Sequence, residues 1–142
     1  MTAYFDTSAL VKLFMTEAGS DLARAMWNST EILATSRVTY VEARAALAAA
    51  RRAGRLPGAV QEDSRRALDD RFQELEVVEV TPEIARSAGD LAEEHGLRGY
   101  DAIHLASSLT LDPEDTVLVT WDRELALAAY ASGLDLAGIS LE

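Results

Sequence analysis

Apolar and polar positions along the chain alternate between short strand-like runs and longer helix-like segments. Strands are predicted where apolar and β-branched residues cluster, at Ala3–Asp6, Ile32–Thr35, Val77–Val80, Thr116–Thr120 and Leu134–Ile139. Strands that alternate with helices favour a mainly parallel sheet covered on both faces. The pattern therefore predicts an α/β fold of three layers, α/β/α, with a central sheet of four or five strands.

Helices are predicted between these strands, where apolar residues recur at helical spacing. The expected helices are Ser8–Glu17 with Ser8 as its cap, Asp21–Asn28, Val38–Ala53, Ala59–Leu75, Pro82–Glu94, Tyr100–Leu109 and Asp122–Ala131. A Pro57-Gly58 break separates the two longest, so a helical hairpin is expected at about residues 37–75. With 142 residues and 49% hydrophobic content, residues 1–142 are expected to form a single domain.

The composition restricts the chemistry that the chain can perform. It has no cysteine, which excludes disulfides and thiolate zinc sites and leaves oxygen ligands and histidine. No apolar run approaches the roughly 18 to 20 residues of a membrane span, and the first residues lack the features of a secretory signal. We therefore expect a cytoplasmic protein that does not enter a membrane.

The net charge of −11 argues at first against nucleic-acid binding, which depends on lysine and arginine. Residues 44–66, however, hold six arginines against two acidic residues, a local balance of +4. This segment could follow a phosphate backbone, and a solvated helical surface explains it equally well.

Two aspartates follow strands that are expected to be neighbours in the sheet. Asp6 closes the first strand, and Asp122 comes two residues after the fourth. The carboxyl ends of parallel strands meet at one edge, where α/β proteins bind ligands. An aspartate between a strand and a helix is also a common helix cap, so each residue has this alternative explanation.

Glu42 lies on a predicted helix, among small apolar residues. Its neighbours at helical spacing are Ala46, Ala49 and Ala53, a stripe of small residues that we expect to face the protein. A buried carboxylate without a partner is costly. Pairing with Arg44 or another arginine is one solution, and a metal ion is another.

Asp101 is the fourth candidate acid, at the start of an apolar helix that follows a glycine-containing loop. Capping accounts for it locally, and the helix N-terminus would also favour its ionised form. Two unit charges about 4 Å apart repel by roughly 4 kcal/mol at an effective dielectric constant of 20, so clustered carboxylates need a cation. Oxygen ligands alone suit Mg²⁺ or Mn²⁺.

The segments around these acids resemble those of PIN domains, and among them the VapC-type toxins of bacterial toxin–antitoxin pairs. The resemblance spans the chain and has four parts. They are Tyr4-Phe5-Asp6-Thr7-Ser8-Ala9-Leu10-Val11-Lys12, Tyr40-Val41-Glu42, Tyr100-Asp101-Ala102-Ile103-His104-Leu105-Ala106 and Thr120-Trp121-Asp122-Arg123-Glu124-Leu125. Their occurrence in this order, on the expected elements, gives the resemblance its specificity.

The resemblance implies a metal-dependent endoribonuclease. Its catalytic and metal-binding residues would be Asp6, Glu42, Asp101 and Asp122, which would hold one or two Mg²⁺ or Mn²⁺ ions. Ser8 and Thr120 would orient these ligands without binding the metal themselves. The implied reaction is hydrolysis of an RNA phosphodiester by water, with no covalent protein intermediate. His104 is expected to be a structural hydrogen-bonding residue.

The resemblance also implies several partners. RNA would be the substrate, with Arg51, Arg52 and Arg55 as candidate contacts to its backbone. A cognate antitoxin protein would cover the site, and the chain would form a homodimer. The acidic charge fits a basic partner and equally favours solubility.

Other acidic-site proteins fit the sequence less well. A phospho-accepting receiver domain needs a lysine after a late strand, whereas the only lysine is Lys12, and a phosphatase of the haloacid dehalogenase type needs an aspartate where Ser8 stands. The alternative that stays open is a catalytically silent PIN-like module that binds protein or RNA. The presence of all four acids counts against it.

Overall fold

A parallel β-sheet forms the centre of the computed structural model, which describes residues 1–56 and 61–142. Within these residues five strands lie in the order β3-β2-β1-β4-β5, and all neighbours are parallel. Their bounds are Thr2–Phe5 (β1), Ile32–Ser36 (β2), Glu76–Val78 (β3), Thr116–Thr120 (β4) and Asp135–Gly138 (β5). The predicted strand number and direction are confirmed.

Helices connect these strands on both faces of the sheet. Their bounds are Thr7–Leu10 (α1), Ser20–Ser29 (α2), Val38–Arg52 (α3), Gln61–Gln73 (α4), Pro82–His95 (α5), Gly99–Ser108 (α6) and Arg123–Ala131 (α7), with a 3-10 helix at Val11–Leu13. The predicted break at Pro57-Gly58 and the predicted helix start at Ala59 lie outside the described residues. In the described part of the chain, no helix is both long and apolar enough to cross a membrane.

The sheet separates two apolar cores. Phe5 points into one core together with Trp27 and Leu47, whereas its neighbour Tyr4 points into the other together with Leu105. Successive strand residues face opposite sides, so β1 contributes to both cores, and all of its residues are buried. Each large apolar side chain buried in this way stabilises the fold by about 1.5–3 kcal/mol. The predicted three-layer α/β/α architecture is confirmed.

The order in which strands are added to the sheet reverses at β1. From β1 the chain continues to β2 and β3 on one side, and later to β4 and β5 on the other. The carboxyl ends of β1 and β4 therefore lie side by side, and the Asp6 N–H donates to the Val119 carbonyl oxygen over 3.3 Å. Crevices outside such switch points are the usual ligand sites of α/β sheets.

The first helix differs from the prediction of Ser8–Glu17 capped by Ser8. Asp6 is the cap, because its side chain accepts a hydrogen bond from the Ala9 N–H over 2.9 Å. The helix therefore starts one residue earlier at Thr7, and it ends at Leu10. The capping explanation that the sequence left open for Asp6 applies.

The buried face of α3 also differs from the predicted stripe of Glu42, Ala46, Ala49 and Ala53. Ala49 and Ala53 are exposed. The residues that face the core are Thr39, Ala43, Leu47 and Ala50. Leu47 has more apolar surface to bury than any alanine, so the helix turns Leu47 inward and leaves Glu42 at the edge of the buried face.

The two long helices α3 and α4 pack against each other. Tyr40 on α3 donates a hydrogen bond to Asp69 on α4 over 2.6 Å, and its ring meets Phe72 edge to face, with 5.1 Å between centroids. Leu68 on α4 is fully buried in the core that contains Phe5. The assignment of residues 1–142 to a single domain stays a prediction.

Candidate functional site

Asp6 is held at the end of β1 by three hydrogen bonds. Its Oδ1 accepts from the Ser8 hydroxyl over 2.7 Å and from the Ala9 N–H over 2.9 Å, and its Oδ2 accepts from the Thr120 hydroxyl over 2.6 Å. The Ser8 oxygen in turn accepts from the Trp121 N–H over 2.9 Å. The carboxylate orientation is therefore fixed from α1 and from the end of β4.

Burial dominates the electrostatics of Asp6, whose exposed fraction is only 3%. Removal from water raises the pKa of this carboxyl, although the nearby His104 and the bonds from Thr120, Ser8 and Ala9 act in the opposite direction. A cation beside the carboxyl would favour its ionised form.

Asp122 is joined to Asp6 through Thr120. The Asp122 N–H donates a hydrogen bond to the Thr120 hydroxyl oxygen over 3.0 Å, and the same hydroxyl donates a hydrogen bond to Asp6. Asp122 also caps α7, because its Oδ1 accepts from the Leu125 N–H over 2.9 Å. Its other oxygen remains free of the cap and faces α6.

Asp101 lies in the first turn of α6, and it does not cap the helix, which begins at Gly99 after Arg98. Its side chain is 12% exposed, and its Oδ2 accepts from Arg98 Nε over 3.1 Å. Burial and then the charge of Asp122 raise the pKa of Asp101, against the opposing effect of Arg98. Asp101 and Asp122 are therefore close enough to repel each other.

Glu42 is fixed by a network of hydrogen bonds that begins in the sheet. Its Oε1 accepts from the Thr7 hydroxyl over 2.7 Å and lies 2.7 Å from His104 Nε2. His104 Nδ1 lies 2.8 Å from the Tyr4 hydroxyl. Burial raises the pKa of Tyr4 well above its ordinary value, so Tyr4 remains a neutral donor.

The direction of these bonds follows from the donors available. The lowered pKa of Glu42 leaves its carboxylate no proton to donate, so the hydrogen of this contact lies on His104 Nε2, which donates to Glu42. Burial alone would raise the pKa of Glu42, but the bonds from His104 and Thr7 outweigh it and lower the pKa. His104 is a hydrogen-bonding residue as expected, and its partner is one of the predicted acids.

The four acids lie around one edge of the sheet without forming one compact ligand set. Among residues 1–56 and 61–142, no three His, Cys, Asp or Glu side chains are grouped so that they could hold one metal ion. Arg98 connects Asp101 with Asp122 and also helps to lower the pKa of Glu42. In this arrangement the charges of the acids are balanced by cationic and hydrogen-bonding side chains of the protein itself.

The predicted arginine contacts lie elsewhere, at the end of α3. Arg51 is half-buried, whereas Arg52 and Arg55 are exposed. A cleft of about 370 Å³ between α3 and α4 has Arg44, Arg51 and Arg65 among its lining residues, with Leu47 and Leu68 among its apolar ones. Of the three predicted arginines, only Arg51 lines this cleft.

Two side chains of the site were missed in the sequence. Arg98 contacts two of the four acids, and Thr7 contacts a third. An arginine three residues before Asp101 was a usable signal, because residues three apart meet on a helix. The partnership of Thr7 with Glu42 joins α1 to α3, so it depended on the fold.

Comparison with known proteins identifies the family. The model of the PIN domain matches residues 3–130. A curated protein of Mycobacterium tuberculosis (strain CDC 1551 / Oshkosh), Ribonuclease VapC45, is 43% identical over 139 residues, which cover 98% of this chain and 96% of that protein.

Solved structures share the fold. The sarcin-ricin loop cleaving toxin VapC20 of Mycobacterium tuberculosis matches with a TM-score of 0.69 at 20% identity, over 89% of this chain and 94% of that one. A chain of a toxin-antitoxin complex from Klebsiella pneumoniae matches with a TM-score of 0.61 at 21% identity, over 84% and 86%. With its family match, its full-length relative and its parallel sheet, this chain belongs to the PIN domain family.

Proposed function

We propose that the protein is a divalent-cation-dependent endoribonuclease and the toxin of a toxin–antitoxin pair. The observation that carries this proposal is the position of Asp6, Glu42, Asp101 and Asp122 around the carboxyl ends of β1 and β4. Full-length similarity to a protein named Ribonuclease VapC45 supports the substrate class.

The chemistry of the donor set, four carboxylates, suits Mg²⁺ or Mn²⁺. Carboxylate oxygens are the donors that hard cations prefer, and Asp6, Glu42, Asp101 and Asp122 would hold the ion or ions. Repulsion from Asp122 contributes to the raised pKa of Asp101, and a cationic guanidinium bridges this pair. When bound, a divalent cation neutralises charge on the phosphate and acidifies the attacking water.

The chain's own residues orient these ligands. Ser8 and Thr120 hold the two oxygens of Asp6, and Thr120 links it to Asp122, so both aspartates are fixed relative to β1 and β4. His104 and Thr7 hold one oxygen of Glu42 and leave the other available. These hydrogen bonds fix the orientation of the carboxylates of Asp6 and Glu42 before a cation binds.

RNA would approach along the arginines at the end of α3 and just after it. We assign contacts with the phosphate backbone to Arg51, Arg52 and Arg55, because the local charge of residues 44–66 is +4 in an otherwise acidic chain. Changing Arg51 and Arg52 to Glu should weaken RNA binding and flatten its salt dependence. Unchanged affinity and salt dependence would show that RNA lies elsewhere.

The proposed partners are a cognate antitoxin and a second copy of the chain in a homodimer, with the cytoplasm as the compartment. The net charge of −11 favours a basic antitoxin, and the fold is shared with a chain of a toxin–antitoxin complex. Co-expression with the neighbouring open reading frame, followed by mass measurement of the complex, tests both partners.

A catalytically silent PIN-like module that binds protein or RNA is the second candidate. It is favoured by one observation, that the described residues hold no compact group of three metal-ligating side chains. Such a module would retain partner binding without any cleavage of RNA.

Cleavage of total cellular RNA by the purified protein separates the two candidates. The assay compares Mg²⁺, Mn²⁺ and chelator for the wild type, for Asp101→Asn and for Asp90→Asn, an exposed acid on α5 that serves as the matched control. We expect metal-dependent cuts by the wild type and Asp90→Asn, and none by Asp101→Asn. A folded, metal-loaded wild type that cuts nothing would favour the silent module.

A further inference from the structure

Arg98 occupies an unusual place between two acids of different elements. Its Nε lies 3.1 Å from Asp101 Oδ2 and its Nη2 lies 3.0 Å from Asp122 Oδ2, so one guanidinium spans α6 and the cap of α7. Asp101 and Asp122 are mostly buried, with side chains 12% and 21% exposed. A positive charge is therefore already located between two carboxylates that repel each other.

The guanidinium itself is held only loosely. The Arg98 side chain is 76% exposed, in contrast to the acids that it contacts. Ion pairs of such exposed side chains are screened by water and salt and contribute little to stability. Loss of Arg98 alone would leave two mostly buried carboxylates unpaired, whereas exchange for a divalent cation, with twice the charge, would keep them paired.

The released guanidinium would be suited to a phosphate. Its planar fork of N–H donors matches phosphate oxygens in the same bidentate way as it matches carboxylates. Arg98 is also the residue that precedes the first turn of α6, where backbone N–H groups add positive potential. An RNA phosphate brought to the acids would meet this side chain within reach.

We propose that Arg98 is a phosphate-binding residue of the RNA site, held on Asp101 and Asp122 until a divalent cation takes its place. This inference rests on the proposed function. A bound cation would then have two effects. It would neutralise the charge of Asp101 and Asp122, and it would free Arg98 to bind the substrate. Without the cation, Arg98 offsets part of the charge of the acid pair and its guanidinium is not available to RNA.

Titration with Mn²⁺ alone tests the first half of this inference. The proteins compared are the wild type, Arg98→Gln and Arg123→Gln, which removes the same charge from an exposed residue next to Asp122. Exposed ion pairs have small energies, so loss of the competing guanidinium should tighten Mn²⁺ binding by only about fivefold. Arg123→Gln should change the affinity less than twofold, because the salt bridges to Asp101 and Asp122 come from Arg98 and the exposed Arg123 charge is screened by water and salt.

The direction of the change in Mn²⁺ affinity shows whether Arg98 competes with the cation or aligns its ligands. Weaker Mn²⁺ binding by Arg98→Gln would mean that the arginine aligns the acids as a scaffold, and this result would overturn the inference. Equal tightening in Arg98→Gln and Arg123→Gln would reduce the effect to general charge and would also overturn it. Thermal melting of both variants without metal verifies that they are folded.

Binding of a short mixed-sequence 2′-O-methyl RNA oligonucleotide tests the second half. The salt dependence of the affinity is measured with Mn²⁺ and with chelator, and the probe is checked for cleavage afterwards. With Mn²⁺, the slope for Arg98→Gln should be smaller than the wild-type slope by about 0.7, which corresponds to one phosphate contact on a single strand. With chelator the two slopes should coincide.

The outcomes for Arg98 and for the nuclease are distinguishable. If the wild type binds Mn²⁺ and cuts RNA but Arg98→Gln gives the wild-type Mn²⁺ affinity or the wild-type slope, only the inference about Arg98 is wrong. If the wild type binds no Mn²⁺, the proposed metal dependence and the inference are both wrong. A slope difference that persists in chelator would mean that Arg98 contacts RNA independently of the cation, which contradicts the displacement.

Discussion

Thr120→Val removes the hydroxyl that connects two of the acids while keeping the shape of the side chain. Thr120 is 1% exposed, and its hydroxyl both donates to Asp6 over 2.6 Å and accepts from the Asp122 N–H over 3.0 Å. In the variant, one buried carboxylate oxygen and one backbone donor lose their partners. Burial already raises the pKa of Asp6, so the loss should raise it further.

The magnitude follows from the kinds of bond involved. A hydrogen bond to a charged group contributes about 1.5–3 kcal/mol, and a neutral one about 0.5–1.5 kcal/mol. The extra methyl group offsets part of this loss, so we expect the free energy of unfolding to fall by about 2–3 kcal/mol. Urea unfolding followed by circular dichroism measures the change.

Thr116→Val provides the matched control on the same strand. Thr116 is 3% exposed, and its hydroxyl oxygen has no hydrogen-bond partner among the described residues. Replacing it removes an unsatisfied buried group, so the free energy of unfolding should stay constant or rise by up to about 1 kcal/mol. Equal losses in the Thr116 and Thr120 variants would refute the reasoning, because burial alone would then explain both.

Three further changes test other parts of the structure. His104→Phe keeps an aromatic ring but leaves the buried Tyr4 hydroxyl and the half-buried Glu42 carboxylate without a nitrogen partner, and should lower the free energy of unfolding in urea by about 2–3 kcal/mol. Since the pKa values of Asp6 and Asp101 are raised, protons compete with a cation at higher pH than for ordinary carboxylates. Mn²⁺ affinity, measured across a pH series, should therefore decline as the pH falls towards these raised values; constant affinity would contradict the assigned ligands. Gly138→Ala places a Cβ against the Thr120 carbonyl oxygen, at a position where the backbone φ is +117°, and should destabilise the protein by roughly 3 kcal/mol. Gly89→Ala, in open space on α5, should not destabilise it.

The sequence predicted the sheet well where burial on both faces left a strong signal. β4 has the predicted bounds, because all five of its residues are buried and most are β-branched. The start of α1 was wrong by one residue, since the cap came from Asp6 rather than Ser8. On α3 the buried face is offset by one position from the predicted stripe of small residues, because burying Leu47 removes more apolar surface from water than burying an alanine.

The site was only partly predictable. Motifs indicated the four acids, and strand order explains why Asp6 and Asp122 meet. The bridge from Arg98 to Asp122 could not be predicted, because it joins residues 24 apart through the packing of α6 beside α7. Pairing of this kind depends on tertiary geometry, for which local sequence carries no signal.

The most direct test of the nuclease is a time course of RNA cleavage in which Mg²⁺ is added and later removed with chelator. Wild-type protein, purified free of any partner, should begin to cut on addition of Mg²⁺ and stop on its removal, while Asp101→Asn should remain inactive throughout. Cleavage that continues in chelator, or that Asp101→Asn performs at the wild-type rate, would contradict the assignment of these acids to a metal-dependent ribonuclease site.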